Sequence, residues 1–197
     1  MDVSRIMRDP VSRRRFFQAS GVTFVGGSAA FIAACGDDDD DETTDATSTG
    51  GANGDVAILN SALALELTAV EAYGKGAPLL KGAVLDAGGA FLAQEQEHAA
   101  GLRTALEDLG GKATAKKMTL DYSGLRNQAD VLEFATNLEN VAIAAYVDAI
   151  PKLSSGELRA TAAQIVTNEA EHVSVLLGAL GQDQVPEAFV TGDVNAL

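Results

Sequence analysis

The sequence predicts an all-α fold, an antiparallel bundle of four helices, and three observations carry that expectation. Alanine and leucine are abundant, Trp is absent and prolines number four, a composition that suits helices better than a sandwich or barrel. From position 56 onward, apolar residues recur at alternating steps of three and four, the stripe of a helix with one buried face. Glycine and proline divide this pattern into four segments, as helix ends require.

The first segment carries Leu59, Leu63, Glu66, Val70 and Tyr73 on its stripe and ends at Gly76 and Pro78. The second carries Phe91, Glu95, His98, Leu102, Ala105 and Leu109 and stops at Gly110-Gly111. After a long crossover over 111–127, which includes LDYSG, the third carries Leu132, Ala135, Glu139, Ala142, Tyr146 and Ala149 and ends at Pro151. Ser154 and Glu157 have capping-box spacing at the start of the fourth. That segment carries Ala162, Ile165, Glu169, His172, Leu176 and Ala179 and closes at Gly181. A chain of 197 residues with 47% hydrophobic content is long enough for one domain with a real core. The bundle is expected over 56–181, followed by a C-terminal tail over 182–197.

Every stripe is interrupted by ionisable groups: Glu66, then Glu95 and His98, then Glu139, then Glu169 and His172. Each carboxylate buried without a partner would cost several kcal/mol. Lys75, Lys81, Arg103, Lys152 and Arg159 fall on other sides of the helical wheels and offer no compensation. Two divalent cations would neutralise four carboxylates, with neutral imidazoles completing the coordination. Glu95 and His98, like Glu169 and His172, are three residues apart, about 60° around a helix and about 4.5 Å along it, so each pair can reach one ion. The alternative is surface helix charge with two chance histidines, but these are the only histidines in the chain, and both end an E-x-E-H run. ELTAVEAY at 66–73 aligns with ENVAIAAY at 139–146, and EQEH at 95–98 with EAEH at 169–172. The period of 73 or 74 residues indicates a duplicated helix pair.

One Glu from each of two helices plus E-x-x-H from each of the other two is the ligand set of the ferritin-like di-iron carboxylate proteins, and over 56–181 the sequence resembles that superfamily. The resemblance implies a ferritin-like bundle with one long crossover. It makes Glu66 and Glu139 terminal carboxylates, Glu95 and Glu169 bridging carboxylates, and His98 and His172 imidazole ligands. Glu97 and Glu171 lie about 200° from the bridging pair, which places them in solvent or behind the ligands. Glu71 has Ala144 as its counterpart in the repeat, which argues against an essential ligand role. Tyr73 and Tyr146 sit two turns beyond Glu66 and Glu139, as core residues with a bonded hydroxyl or as groups supporting the ligands. Departures from narrower groups are visible too. The cysteine-ligated iron domain of rubrerythrins is missing, and their extra third-helix carboxylate is Ala142 here. Met118 is the only methionine beyond the leader, which leaves no good haem ligand. The nearest description is an exported ferritin-like protein of the desiccation-related lipoprotein type.

The N-terminal fifty or so residues read differently. SRRRFF at 12–17 precedes an apolar, glycine-rich stretch at 21–34 too short to span a bilayer stably. SRRRFF resembles a twin-arginine signal, and IAAC at 32–35 resembles a lipobox, which implies export, lipidation at Cys35 and anchoring to the membrane on the extracytoplasmic side. Ordinary small-residue cleavage or an uncleaved anchor are the other readings of residues 1–34. The acidic, Thr/Ser/Gly-rich run at 36–55 cannot bury enough surface to fold, so 35–55 reads as a tether spanning ~24 Å. Net charge is −14, and removing five Arg and two Asp with the leader makes it −17. That acidity argues against a nucleic-acid partner, and the single cysteine excludes an internal disulfide. The resemblance implies two bound metal ions, with iron expected and manganese accepted by the same donors. The implied activity is oxidation of Fe(II) by oxygen or peroxide. A metal-storing or stress-protective module without turnover and a manganese catalase-like centre are the alternatives, in a monomer or dimer.

Overall fold

The computed structural model describes residues 51–197, in which four long helices are the only regular elements besides two short 3-10 turns. The twin-arginine-like leader at 1–34, Cys35 and nearly all of the expected tether lie outside the described residues. Helix α1 spans Ala52–Gly76, α2 Gly82–Asp108, α3 Gln128–Ala149 and α4 Gly156–Ala179. Helix α1 therefore begins ahead of the expected boundary at 56, and the reason is Asp55. Its carboxylate is buried, accepts from the Ser154 backbone N–H at 2.9 Å, and is hydrogen-bonded to the Ser154 hydroxyl. The last acid of the acidic run is thus a fold residue.

That bond also fixes direction, because it joins the start of α1 to the residues just beyond α3. At the other end, Gly76 closing α1 approaches Val131 opening α3. The two helices are therefore antiparallel. The hairpins α1/α2 and α3/α4 pack most extensively, and α1 and α3 join the halves.

Helix ends follow local chemistry and repeat between the halves. Pro78 and Pro151 each sit in a 3-10 turn after the first helix of a hairpin, each followed by a buried leucine, Leu80 or Leu153. Helices α2 and α4 both end in a six-to-one and five-to-two bonded cap. Gly111 N–H donates to Leu106 C=O and Gly110 N–H to Glu107 C=O; Gln182 N–H donates to Leu177 C=O and Gly181 N–H to Gly178 C=O. Gly110 and Gly181 take φ of 68° and 72° there, a conformation that a Cβ disfavours. Asn127 caps α3 through Ala129 and Asp130 N–H. Helix α4 is capped by Ser155, which accepts from Leu158 N–H, and not by Ser154 as the capping-box spacing suggested. Ser154 is one position early because Asp55 already holds it.

The crossover is extended and pinned onto α1. Asn60 accepts from Thr114 N–H at 2.7 Å and donates to Lys112 C=O, and the buried Thr68 hydroxyl accepts from Met118 N–H at 2.8 Å. Glu71 pairs with Lys117, so it serves the crossover and takes no part in the interior cluster. Beyond α4 the tail has no regular structure and returns to α3, where Asp193 N–H donates to Asn140 C=O.

The core is split in two. One apolar cluster, including Leu59, Leu63, Leu102, Leu106, Tyr146 and Ile165, fills one end. The other, including Ala69, Tyr73, Phe91, Leu132, Leu138 and Leu176, fills the opposite end. Ala149 is only half-buried and Ala179 is exposed, because straight helices drift off a strict three-four stripe towards its ends; at Val70, also half-buried, the neighbouring Ala69 takes the core position. Between the clusters lies a layer of carboxylates and imidazoles.

Candidate metal centre

That layer contains all six residues singled out from the sequence. Glu66, Glu95, Glu139 and Glu169 are each at most 2% exposed and His172 1%, whereas the His98 side chain is 13% exposed. Their donor atoms form two groups, Glu66, Glu95, His98 and Glu169, and Glu95, Glu139, Glu169 and His172, with all donors in a group within 4.8 Å of one another. Glu95 and Glu169 belong to both. The middle of each helix therefore supplies its acid at one height, and the two E-x-x-H helices supply the shared carboxylates.

The donors crowd together and only some of them pair, as His172 Nδ1 does with Glu139 Oε1 at 3.2 Å. His98 Nδ1 stands 3.0 Å from Glu169 Oε1 and 3.4 Å from Glu66 Oε2, yet it makes no hydrogen bond. Glu95 Oε1, Glu139 Oε2 and both oxygens of Glu169 are likewise buried without a hydrogen-bond partner. Orphaned buried charge of this kind is costly. No lysine or arginine forms an ion pair with these groups among the described residues. The donor set, oxygen and imidazole with shared carboxylates, fits two divalent cations and would satisfy those atoms.

Proton placement follows the same crowding. Burial pushes the Glu66 carboxyl up to about 8, against the lowering effect of His98 and with the charge of Glu169. Burial likewise holds Glu139 well above the ordinary carboxylate range, with His172 opposing. For Glu95 burial is outweighed by His172, His98 and Glu66, and its pKa falls to about 2. Burial disfavours imidazolium, but Glu169, Glu66 and Glu95 raise His98 to about 12, and Glu139, Glu169 and Glu95 raise His172 to about 11. Without cations, protons do the neutralising.

The tyrosines cross between halves. Tyr73 of α1 donates its hydroxyl to Glu139 Oε1 of α3, and Tyr146 of α3 donates to Glu66 Oε1 of α1. Each thus holds one oxygen of a carboxylate in the other half: Glu66 keeps Oε2 facing His98, whereas the Glu139 Oε1 that Tyr73 holds is also the oxygen 3.2 Å from His172 Nδ1. Both phenols are held well above their usual pKa by burial, then by the charge of the acid they touch. Glu97 and Glu171 are exposed, on the side of the helix the wheel assigned them.

One residue of the site went unread in the sequence. Gln94 Oε1 lies 2.8 Å from His172 Nε2, while His172 Nδ1 faces Glu139, Glu95 and Glu169 at 3.1–3.2 Å. An amide oxygen only accepts, so Nε2 carries the proton and Nδ1 is the atom offered to a cation. The repeat places Asn168 where Gln94 stands, and its amide bonds Glu171 instead. Phe91 packs over the His172 ring at 4.1 Å between centroids and meets Tyr73 edge-on at 5.9 Å. His98 has neither support, so the two halves are similar but not equivalent.

Fold and site together define a class: a helical bundle built around a carboxylate and imidazole cluster with the donors for two cations. The profile of the ferritin-like domain family matches residues 54–182, and the chain belongs to that family. Two crystal structures are similar in fold. A conserved hypothetical protein from Mycobacterium tuberculosis superposes with a TM-score of 0.62 at 20% identity, covering 66% of this chain and 99% of that one. A ferritin-like, diiron-carboxylate protein from Bacillus anthracis str. Ames gives a TM-score of 0.59 at 23% identity, covering 66% and 96%. No curated protein sequence matches the chain.

Proposed function

We propose that the protein is an envelope-anchored di-iron protein that oxidises Fe(II) with oxygen or peroxide. The observation that supports this most directly is the pair of overlapping donor groups, sharing Glu95 and Glu169, in which five buried atoms, one each of Glu95, His98 and Glu139 and two of Glu169, lack hydrogen-bond partners. Glu66 and His98 would complete one cation position, Glu139 and His172 the other, with the shared carboxylates bridging. Bound iron would supply the redox change, one electron per ion, so that two ferrous ions and two protons convert dioxygen to peroxide, or peroxide to water. The chain's own residues place and protect that chemistry. Tyr73 and Tyr146 hold the terminal carboxylates, Gln94 sets the His172 tautomer, and the two apolar clusters exclude water from both ends. Fe(II) would enter on the His98 side, where the layer meets solvent. The substrate that is oxidised, and manganese as an alternative occupant, are decided by the same preparation: elemental analysis of the natively loaded protein, then Fe(II) and air. Oxygen consumption over many turnovers is expected; stoichiometric uptake that stops sinks the enzyme reading.

The near-complete burial of the carboxylates favours a second reading, a metal-holding module in which the ions chiefly offset buried charge. It predicts the stoichiometric outcome. Anchoring rests on SRRRFF and IAAC, and Cys35→Ala should move the protein from the membrane fraction to the soluble one with its thermal midpoint unchanged. A variant still membrane-bound after processing contradicts the lipid anchor.

A further inference from the structure

Helices α2 and α4 make the sparsest contact of the neighbouring pairs, and near the N-terminal end of α2 small residues leave a gap between them. Ala87 and Gly88 of α2 face Val175 and Ala179 of α4 across a cavity of about 270 Å³. Its inner wall includes Phe91 and Tyr73, the same rings that pack on His172 and hold Glu139. One layer of aromatic side chain therefore separates the cavity from the cluster.

The lining decides what such a space holds. The only side chain there with a polar atom is Tyr73, and its hydroxyl is committed to Glu139. Water needs at least two polar partners to be held, and apolar cavities of ~150 Å³ stay dry and take benzene or xenon. This one is larger. The layer also has a different opening at His98, where exposure is through an imidazole flanked by carboxylates, a surface that suits a cation and not an apolar molecule.

We infer that the cavity behind Phe91 binds small apolar molecules, from diatomic to single-ring size, and that it is the entrance by which dioxygen reaches the cluster. The binding stands on the cavity alone; the entrance role rests on the function proposed above. Cations and oxygen would then arrive from different sides of one layer, and the oxidant would meet the His172 side first.

Xenon-pressurised crystals of the full chain test the binding. Xenon is expected in the cavity of the parent protein and at clearly reduced occupancy in Ala87→Leu, whose longer side chain takes up part of it; an empty parent cavity, or unchanged occupancy in the variant, overturns the proposal. Ala179→Leu, on the exposed rim of α4, should act in the same direction without touching the core. For the entrance, nitric oxide serves as an apolar diatomic that binds ferrous iron without turnover. Stopped-flow spectra of the iron-loaded, reduced protein should show several-fold slower nitric oxide binding in both variants at unchanged iron content. Equal rates overturn the entrance role. A parent that takes up no iron contradicts the proposed function instead, and the xenon result is decided independently of it.

Discussion

Removing the cations should invert the usual pH dependence of stability, and Glu66 sets the size of the effect. Its carboxyl is raised from 4.5 to about 8 in the metal-free fold, so the folded state holds a proton that the unfolded chain releases. Such a group stabilises fully below its unfolded pKa, and that contribution drains away as pH rises toward the folded value. Between pH 4.5 and 7 the loss is about 3 kcal/mol at 1.36 kcal/mol per unit, or roughly 10 °C in thermal midpoint for a domain of this size. His98 and His172, raised to about 12 and about 11, extend the decline above pH 6.5. Glu95, lowered to about 2, acts oppositely and loses its contribution as pH falls below 4.5. The chelated protein should thus be most stable near pH 5, whereas metal binding displaces protons and strengthens as pH rises. Scanning calorimetry from pH 4 to 8, with chelator and with Fe(II) or Mn(II), measures both limbs. Glu66→Gln, which cannot ionise, should make the chelated curve shallower between pH 5 and 7, with Glu139, also held above the ordinary carboxylate range, supplying the decline that remains. A chelated midpoint that is level or rising over that range in the parent would refute the reasoning, because the buried layer would then not be holding protons.

Three further outcomes test individual parts. Gln94→Leu removes the acceptor for His172 Nε2 and should weaken one of the two cation positions by about 10- to 100-fold, read by competition titration, with helicity unchanged. Glu169→Ala should lower bound metal at both positions and His172→Ala at one; full metal content in both variants by elemental analysis would show that the E-x-E-H runs are not ligands. Asp55→Ala removes a buried carboxylate that receives two hydrogen bonds from Ser154 and should cost about 2–3 kcal/mol. A change within ~0.5 kcal/mol would return residue 55 to the tether.

What the sequence disclosed depended on whether its signals were local. Helix ends were legible because Gly110, Gly181, Pro78 and Pro151 act within their own turns. The ligand candidates were legible because an acid on an apolar stripe contradicts its surroundings, and two E-x-x-H pairs repeat the contradiction at one height. Partners across the bundle were not. Gln94 differs from any surface glutamine only by lying opposite His172, 78 positions away. Asp55 was hidden by the acids preceding it, although its partner Ser154 lies 99 positions on. Asn60 and Thr68, which pin the crossover, look like ordinary helix polar residues until the chain returns to them. Ser154 misled because two adjacent serines compete for one cap, and a long-range bond settles which is free.

The exchanged tyrosines bear on ancestry. Tyr73 serves a carboxylate of the second half, and Tyr146 serves one of the first; Glu95 and Glu169 likewise belong to both donor groups. A lone helical hairpin of either half would expose an unsupported glutamate and half a set of ligands. Two copies of one hairpin, related by a two-fold axis, would complete each other, as the halves do here. The layout is the one that joining such a dimer through the crossover would give, and in a joined chain the copies are free to diverge. Gln94 in one half where the other has Asn168, and a shielded His172 where the other has a wetter His98, are differences of the kind such freedom allows: a single gene can specialise one side without altering the other.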